Sequence, residues 1–484
     1  MKNSATFVPH EEARAMKKVL LINTNTEKIP YPVPPLGLCL IARCIEKSFE
    51  VSFYDAAAHP ETELKEWLAA VDPDYIGISI RNIDNTVMGR PVFFVPDIIR
   101  KYIAVTRDHS KATVILGGSG FSIFPEEILA AADLSYGIIG EGESSFPQLL
   151  DALEKGKEPQ GIPGVIYKKD NQYRINPPDF KVSMPDVPFS VMYDRLQMEL
   201  YRERGSYPVQ TKRGCIFSCI YCSYPNLEGR NYRLRDPAEI ADEIEEASGR
   251  LGDILFEFVD STFNSPAGHA EAICKEIIKR KMKIRLRTMG INPKDASPAL
   301  ISLMKGAGFR QIDCTPDTAS PKMLKTMRKN FSLEQLQVCA DLIRGHDMPT
   351  MWFFMFGGPG ETEETVMETF SFIDRYISEK DMVFTGEGVR IYPLTEMYDI
   401  ALKQGFIKAD DNLLEPVYYV SPDIGRENLS YLLHREIAKR PNVVHALDSA
   451  PKPEMLAEAL AIRKTQGLEE PMFRTLLRLK SKYQ

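Results

Sequence analysis

The sequence predicts an α/β protein with two parallel-sheet units in succession and a helical region at its C-terminal end. We expect the first unit to be a Rossmann-like (flavodoxin-like) doubly wound sheet and the second to be a partial (β/α)6 barrel. Apolar runs typical of buried strands, such as YIGISI at 75–80, alternate with helical patterns in both units. The alternation stops in a proline-rich segment at 176–189 and resumes after residue 206. The expected divisions are a tail at 1–16, the first unit at 17–160, a linker at 161–205, the barrel at 206–400 and the helical region at 401–484.

Composition and charge exclude several classes of protein. The net charge of −7 argues against a broad nucleic-acid surface. There is no apolar run of membrane-spanning length, and the first 18 residues lack the apolar core of a signal peptide. Eight cysteines, three of them clustered, favour a reducing cytoplasm over a disulfide framework. The oligomeric state is not predicted.

The first unit places small and polar residues at the expected carboxyl ends of its strands. Ligands of doubly wound sheets bind at these ends. The strands are predicted at 17–23, 51–54, 75–80, 113–116 and 136–139, with helices at 36–47, 62–70 and 96–106. The fourth strand is followed by GGSG at 117–120 and the fifth by GEGE at 140–143. Alone, these glycines indicate no more than tight turns.

The linker is predicted to contain three pieces. Residues 161–173 have the pattern of a hairpin, residues 176–189 that of an extended linker, and residues 192–201 that of a short helix.

The second unit repeats a strand and a helix, with polar residues after each strand. Strands are predicted at 207–211, 254–259, 283–287, 310–314, 351–356 and 388–391, with helices at 236–251, 267–281, 297–307, 322–327 and 333–344. Asp236 followed by Pro237 is the expected start of the first helix. An open barrel of this kind has its active site at the carboxyl ends of its strands. Helices at 425–439, 453–466 and 469–482 should follow the barrel, with a short aromatic strand or loop at 415–419.

Three cysteines follow the first barrel strand with the spacing C-x3-C-x2-C. Cys215, Cys219 and Cys222 therefore lie on a loop that leaves a strand end. Such thiolates suit an iron–sulfur cluster, in which three ligands leave one iron open. The alternatives are a chance cluster and a zinc site. Zinc would need a fourth ligand nearby, but the closest histidines in the sequence are His109 and His269, and no fourth cysteine follows until Cys274. The remaining cysteines in helical patterns are expected to be small core residues: Cys39, Cys44, Cys274 and Cys339.

This loop, C-x3-C-x-aromatic-C with Tyr221 as the aromatic, resembles the signature of radical S-adenosylmethionine (SAM) enzymes. The resemblance implies a [4Fe-4S] cluster whose open iron binds SAM. FVDSTFN at 258–264 is similar to the motif that contacts the SAM amino group, which makes Asp260 the expected acceptor. Other expected SAM contacts are Asp317 at the ribose, the loop of Gly357, Gly358 and Gly360, and Tyr392 along the adenine. Arg213 could compensate thiolate charge or hold the SAM carboxylate, whereas Lys212 is expected to be exposed.

The first unit resembles the cobalamin-binding domain of B12-dependent radical SAM enzymes. Three runs carry this resemblance: PPLGL at 34–38, GGSGFSIFPEEIL at 117–129 and GEGESSFPQLL at 140–150. The alternative is a domain that keeps the fold without the corrin. The expected cobalamin contacts are Pro34, Leu36, Gly37, Ser79, Arg81, Asn82, Gly117, Gly118, Ser119, Gly120, Gly140, Glu141, Gly142 and Glu143.

One motif of many cobalamin domains is missing. D-x-H-x-x-G would supply a histidine below cobalt, but residues 23–36 contain no histidine and His59 has the wrong spacing. Arg81, after the third strand, would face the lower side of the corrin and keep cobalt four-coordinate. This resembles a subgroup that includes an indole-methylating enzyme. The alternative for Arg81 is a salt bridge to Asp84 or to an acidic residue of a loop.

Together, the resemblances imply a B12-dependent radical SAM methyltransferase. Such an enzyme moves a methyl group from SAM through cobalamin to an unreactive carbon of a small-molecule, lipid or peptide substrate. A reductant such as flavodoxin or ferredoxin is the implied partner. Three alternatives remain: a B12-dependent enzyme that cyclises, rearranges or oxidises its substrate, a radical SAM enzyme with an empty cobalamin-like domain, and a non-catalytic iron–sulfur sensor or scaffold.

Overall fold

The first sheet has seven strands and lies in the N-terminal part of the chain. The computed structural model describes residues 16–28, 31–181, 195–448 and 451–483. The strands are β1 (Lys18–Asn23), β2 (Glu50–Asp55), β3 (Tyr75–Ser79), β4 (Thr113–Gly117), β5 (Tyr136–Ile138), β6 (Val165–Lys169) and β7 (Gln172–Ile175). They are ordered β2-β1-β3-β4-β5-β6-β7, and β1 to β5 are parallel. The predicted doubly wound core is confirmed.

Helices cover the parallel part of this sheet. They are α1 (Leu36–Ile45), α2 (Leu64–Val71), α3 (Val95–Ile98), α4 (Ala104–His109), α5 (Pro125–Ala132) and α6 (Ser145–Glu154). A π-helical turn, Ile99–Ile103, joins α3 to α4. In α2, Leu64 and Leu68 lie one turn apart and are its buried residues, so a single narrow stripe packs on the sheet.

The hairpin predicted in the linker belongs to the first sheet. Its strand β6 pairs antiparallel with β5, so the sheet continues beyond residue 160. The predicted extended linker, 176–189, lies largely outside the described residues, as do the first residues of the helix predicted from 192. The described helix is α7 (Met198–Arg204). Of the predicted tail at 1–16, only Met16 is described.

The second sheet also has seven strands, all parallel. They are β8 (Tyr207–Val209), β11 (Leu255–Phe258), β12 (Arg285–Ile291), β13 (Phe309–Asp317), β14 (Thr350–Phe356), β15 (Met382–Glu387) and β18 (Val443–His445). The order β18-β15-β14-β13-β12-β11-β8 is that of an open barrel. Two-residue pairs flank it: β9 (Lys212–Arg213) with β10 (Arg233–Leu234), and β16 (Val389–Arg390) with β17 (Tyr418–Tyr419).

The prediction of the sixth barrel strand at 388–391 is wrong. That strand is β15, and Gly388, with φ of +76°, ends it. The next residues turn away and pair antiparallel with β17 instead. The seventh strand, β18, lies within the region predicted as helical and extends the barrel by one strand.

The helices of the second unit follow the predicted alternation. They are α8 (Tyr224–Glu228), α9 (Pro237–Leu251), α10 (Ala267–Lys279), α11 (Pro298–Ala307), α12 (Pro321–Thr326), α13 (Leu333–Gly345), α14 (Glu363–Tyr376), α15 (Glu396–Lys403), α16 (Arg426–Ile437), α17 (Pro453–Gln466) and α18 (Met472–Tyr483). The cap predicted for α9 is confirmed, because the Asp236 side chain accepts from the Ala238 N–H at 2.7 Å. The sequence analysis missed α14, which begins at a capping box on Thr362.

The two faces of the barrel sheet differ in character. Alternate residues of its strands, such as Phe256, Ile312 and Trp352, are buried in the main hydrophobic core against the helices. The residues between them form the opposite surface, here called the inner face. The inner face carries charged and aromatic side chains.

The other cysteine predictions divide. Cys39, Cys274 and Cys339 are buried as expected, but Cys44 is exposed, because it lies on the solvent side of α1. None of the described helices is long and apolar enough to cross a membrane.

Candidate active site

The cysteine loop begins at the end of β9, beside the first barrel strand. Cys215 is buried, and Cys219 and Cys222 are half-buried. Gly214 precedes the first cysteine with φ of +90°, and a Cβ there would lie 2.1 Å from the Asn231 carbonyl oxygen. Only glycine allows the chain to turn this closely into the loop.

The three thiols interact with one another. Burial, together with the neighbouring Cys219 and Cys215, raises the pKa of Cys222 to about 12. Burial also raises the pKa of Cys219, against the opposing effect of Lys329. Metal binding would therefore have to displace protons from buried thiols. Among the described residues, no three His, Cys, Asp or Glu side chains are arranged to hold a single metal ion. A four-iron cluster places each cysteine on a different iron, so its ligands need not converge on one point.

Asp317 and Tyr221 meet beside the thiols. The Tyr221 hydroxyl donates to Asp317 Oδ2, and Lys329 Nζ lies 2.7 Å from the same oxygen. The end of β13 and the segment after α12 thus converge with the cysteine loop. The sequence analysis missed Lys329, because nothing in the local pattern after α12 distinguishes it from surface lysines.

Asp260 is not placed as predicted. Its carboxylate accepts from Thr211 N at 2.8 Å, Thr211 Oγ1 at 2.5 Å, Lys212 N at 3.2 Å and Lys212 Nζ at 3.2 Å. The Asp260 side chain has no exposed surface, and that of Lys212 is 1% exposed. Asp260 therefore holds the chain entering the cysteine loop and is not accessible to a SAM amino group. The prediction that Lys212 is exposed is also wrong.

The glycine loop after β14 closes on Glu361. The Gly357 N–H donates to Glu361 Oε2 at 3.0 Å, and burial raises the pKa of this carboxyl. Lys322 Nζ donates to the Gly360 carbonyl at 2.6 Å, while Gly358 packs against Met327.

Tyr392 lies beyond this loop and packs on Arg390. The Arg390 guanidinium carbon is 5.0 Å from the Tyr392 ring centroid, and the Phe124 ring of the first sheet unit is 6.5 Å from Tyr392.

The glycines after β4 let two loops of the first sheet pack together. Gly118 has φ of +100°, and a Cβ there would lie 2.6 Å from the Ile80 carbonyl oxygen. Ser119 Oγ donates to the Arg81 carbonyl at 3.2 Å. Gly37, by contrast, is exposed with open space where its Cβ would be. The other expected contacts of this unit lie at the same end of the sheet: Pro34, Leu36, Ser79, Asn82, Gly117, Gly120, Gly140 and Gly142.

Arg81 is exposed, and its Nη1 donates to Asn82 Oδ1 at 3.4 Å. The alternative salt bridge to Asp84 is wrong, because Asp84 is buried against Arg390 Nε at 3.0 Å. His59 pairs with Glu63 at 3.0 Å, on its own side of the sheet.

Glu141 and Glu143 connect the two units. Arg213 Nη1 lies 3.1 Å from Glu141 Oε2, and its Nη2 lies 2.5 Å from Glu143 Oε1. Arg233 also binds Glu141. These contacts, with Asp84–Arg390, bring the loops of both sheets to one site. The contacts of the GEGE loop are to the barrel, which the sequence analysis did not anticipate.

Comparison with known families identifies both units. Residues 22–150 match the B12 binding domain, and residues 209–373 match the radical SAM superfamily. The chain is a radical SAM enzyme with a B12 binding domain. The predicted cofactors therefore follow from its domains: cobalamin, a [4Fe-4S] cluster and SAM.

Relatives share this arrangement. An uncharacterized methyltransferase of Pyrococcus horikoshii is 27% identical over 73% of this chain and 77% of its own. Tryptophan 2-C-methyltransferase of Streptomyces laurentii is 25% identical over 78% of this chain and 73% of its own. The fold is that of TsrM, a radical SAM methyltransferase from Kitasatospora setae that was solved with cobalamin and a [4Fe-4S] cluster bound. The TM-score is 0.81 and the sequence identity is 23%, and the match covers 97% of this chain and 100% of the TsrM chain.

The inner face of the radical SAM domain carries a polar cluster that the sequence analysis missed. Glu257 accepts from the Tyr31 hydroxyl and from Ser206 Oγ, each at 2.8 Å, and lies 2.7 Å from Arg287 Nε. Gln311 Nε2 donates to Asp313 Oδ1 at 2.8 Å. Burial raises the pKa of Asp313 to about 7. Along each strand these charged residues alternate with apolar ones, and this period of two could have shown that they share one face of the sheet. The sequence analysis treated each strand as buried on both faces and did not separate the two.

Proposed function

We propose that this enzyme transfers a methyl group from SAM to a carbon atom of a small-molecule substrate, with cobalamin and the cluster acting at one shared site. The observation that carries the proposal is the contact of Arg213 with Glu141 and Glu143. Arg213 lies two residues before Cys215, and the glutamates lie in a strand-end loop of the B12 binding domain. The loop that would hold the cluster is thus fixed directly to the loops that would face the corrin.

The residues fit a cluster held by Cys215, Cys219 and Cys222. When bound, cobalamin supplies a carrier for the methyl group, and the cluster supplies the electron that cleaves SAM. Three thiols on one loop leave one iron for SAM. Asp260 and Lys212 fix the start of this loop from a buried position. Lys329 places a positive charge beside the thiolates.

The SAM pocket is formed by the barrel ends around the cysteine loop. Asp317, oriented by Tyr221 and Lys329, accepts from the ribose through Oδ1, which takes no hydrogen bond from the described residues. The loop of Gly357, Gly358 and Gly360 approaches the adenosyl group, and Tyr392 lies along the adenine.

Cobalamin is held by the strand ends of the B12 binding domain. The open surface at Gly37 lets the corrin approach the start of α1. Glu141 and Glu143 position this domain through Arg213, and Gly117 to Gly120 shape the surface. Arg81 would face the lower side of a bound corrin, where its exposed guanidinium would disfavour a water ligand on cobalt.

We infer the compartment from the chemistry of the cluster and the substrate class from a relative. A thiolate-held cluster needs a reducing environment, and the cytoplasm, with flavodoxin or ferredoxin as electron donor, supplies one. A relative acts on tryptophan, so an aromatic small molecule is the first substrate class to test.

The test is anaerobic reconstitution with iron, sulfide and hydroxocobalamin, followed by reaction with methyl-labelled SAM, a strong reductant and a panel of aromatic small molecules. Label on a product carbon supports the proposal. Accumulation of 5′-deoxyadenosine without a methylated product favours cyclisation, rearrangement or oxidation. A protein that retains no cobalt after reconstitution contradicts the proposal. Electron paramagnetic resonance of the cobalt(II) form checks the lower face: nitrogen splitting would contradict the role of Arg81.

A further inference from the structure

The inner face of the barrel sheet is divided into a polar half and an aromatic half. Strand register puts Glu257 beside Arg287, and Arg287 beside Gln311. Two residues along β13, Asp313 lies beside Met351. On the next strands, Phe353 lies beside Phe384. Because in-register neighbours of a parallel sheet point to the same side, these residues form one continuous surface. Charges occupy its β11 to β13 side and aromatic rings its β14 and β15 side.

Arg287 has hydrogen-bonding capacity that the described residues do not use. Its guanidinium carbon is 4.0 Å from the Tyr31 ring centroid, and its Nε faces Glu257. Its Nη2 is buried and has no hydrogen-bond partner among the described residues. A buried, unpaired N–H of a guanidinium is costly unless a ligand oxygen accepts from it.

Asp313 has the complementary property. Its side chain is buried, and its one hydrogen bond within the described residues comes from Gln311 to Oδ1. No cation there forms an ion pair with it. Its carboxyl lies close enough to Arg287 and Glu257 for both to affect its pKa. A ligand ammonium would supply the missing positive charge.

The aromatic half offers a flat apolar surface. The rings of Phe353 and Phe384 stack 5.1 Å apart at an interplanar angle of 11°, and both are half-buried. Met289 and Thr315 lie two residues closer to the carboxyl ends of their strands than Arg287 and Asp313. Met289 is 45% exposed, and Thr315 is also exposed. The inner face is therefore open towards the end of the barrel where the cysteine loop lies.

We propose that Arg287 and Asp313 recognise the substrate's head group, and that this head is an α-amino acid with its carboxylate on Arg287 and its ammonium on Asp313. The aromatic half then receives a planar or large apolar side chain. The inference rests on the proposed function, which places the substrate between the barrel and the corrin. Glu257 and Tyr31 are positioning residues, because they fix the guanidinium from the opposite side.

The test measures binding, not turnover. The anaerobically reconstituted full chain is equilibrated by dialysis with L-tryptophan, with tryptamine, which lacks the carboxylate, and with indole-3-propionate, which lacks the ammonium. L-Phenylalanine, L-tyrosine, L-leucine and L-methionine complete the panel, each with its decarboxylated and deaminated analogue. We expect at least one amino acid to bind about tenfold or more tightly than both of its analogues, since each analogue leaves a buried donor of Arg287 or a buried acceptor of Asp313 without a hydrogen-bond partner.

Two variants assign the contacts. Arg287→Gln should abolish the preference for the amino acid over its amine, and Asp313→Asn should abolish the preference over its deaminated acid. Arg287→Gln should still prefer the amino acid over its deaminated acid, and Asp313→Asn should still prefer the amino acid over its amine. Arg285→Gln is the control, because Arg285 lies on the same strand but pairs with Asp253 at the surface. Iron and cobalt content and SAM affinity are measured for all variants.

Several results would overturn the inference: no amino acid binds, the analogues bind equally well, or the variants lower every affinity in parallel, as a purely structural cluster would. A change in SAM affinity with unchanged preferences would assign the cluster to SAM instead. Binding by both contacts without any methylated product would refute the proposed function and leave this inference standing. Methyl transfer to a compound without an amino-acid head would support the proposed function and refute this inference.

Discussion

At the scale of single residues, Lys212 and Asp260 form an ion pair with almost no exposed surface. Lys212→Met removes the positive charge and leaves the Asp260 carboxylate buried. Breaking a buried pair in this way costs about 3–5 kcal/mol. We expect a lower melting temperature and a poorly retained cluster, measured by thermal unfolding and iron analysis. Lys275→Met is the matched control, because Lys275 is an exposed partner of Glu271 and should change stability by less than about 0.5 kcal/mol. Equal effects of the two substitutions would contradict the prediction.

Asp313 makes stability depend on pH in a predictable direction. Its pKa is raised from 3.8 to about 7 by burial. Below about pH 4 the carboxyl is protonated in both states. Between pH 4 and 7 the unfolded chain releases this proton and the folded chain keeps it, so folding becomes less favourable as the pH rises. The loss is on the order of 1.4 kcal/mol per pH unit.

Asp313→Asn should remove this pH dependence. Relative to the wild type, the variant should gain stability from pH 4 to 7 and keep a constant difference above that range. Denaturant unfolding of both proteins at matched pH values measures the change, with Asp341→Asn as a surface control on α13. Parallel pH profiles of wild type and Asp313→Asn would show that the native carboxyl titrates normally.

The residue scale is also where sequence reasoning was least complete. The cysteine loop and Asp317 were singled out as candidate site residues from local motifs, because the residues of each motif are close together in the chain. Asp260 was assigned to SAM by motif position, but its partners Thr211 and Lys212 lie on another strand end. No local pattern shows that a lysine before a cysteine loop folds inward.

At the scale of elements, the loops after β3 and β4 depend on close backbone contact. Gly118→Ala would place a Cβ 2.6 Å from the Ile80 carbonyl oxygen at φ of +100°. We expect a loss of stability of about 1–3 kcal/mol and weaker cobalamin retention, measured by thermal unfolding and cobalt analysis. Gly249→Ala in α9, where a Cβ meets nothing, should raise stability by up to about 1 kcal/mol. If Gly118→Ala behaved like this control, the loop packing would not need glycine.

Element order was predictable because strand and helix patterns differ in period, and the cap at Asp236 marked a helix start correctly. The sixth strand was displaced because MVFT at 382–385 and VRI at 389–391 both have a strand pattern, and the local sequence does not show which of them pairs with β14. The strand β18 was missed because it is three residues long and lies between segments with helical patterns. Its place in the barrel depends on pairing with β15, more than fifty residues earlier.

At the scale of the whole molecule, each metal cofactor has candidate ligands or contacts in a different domain, and the two domains are joined both by ion pairs and by shared hydrophobic clusters. The B12 binding domain has its own core on one side of its sheet. The start of the cysteine loop is held by Asp260 of the barrel, and Arg213 also pairs with Glu141 and Glu143 of the B12 binding domain. Loss of one cofactor should therefore leave the other bound, while methyl transfer needs both.

Cys219→Ala and Gly37→Leu test this independence. Cys219→Ala should lose iron and SAM cleavage but keep cobalt, because a cluster left with two cysteines is no longer held. Gly37→Leu should lose cobalt but keep iron and reductant-dependent SAM cleavage, since the new side chain would fill the space open at Gly37 without touching the protein. Metal analysis and 5′-deoxyadenosine assays give both readouts, and Cys44→Ala, an exposed cysteine away from the loop, should keep both metals. Loss of both metals in either variant would mean that the ion pairs and hydrophobic contacts between the domains make the two sites fold as one unit.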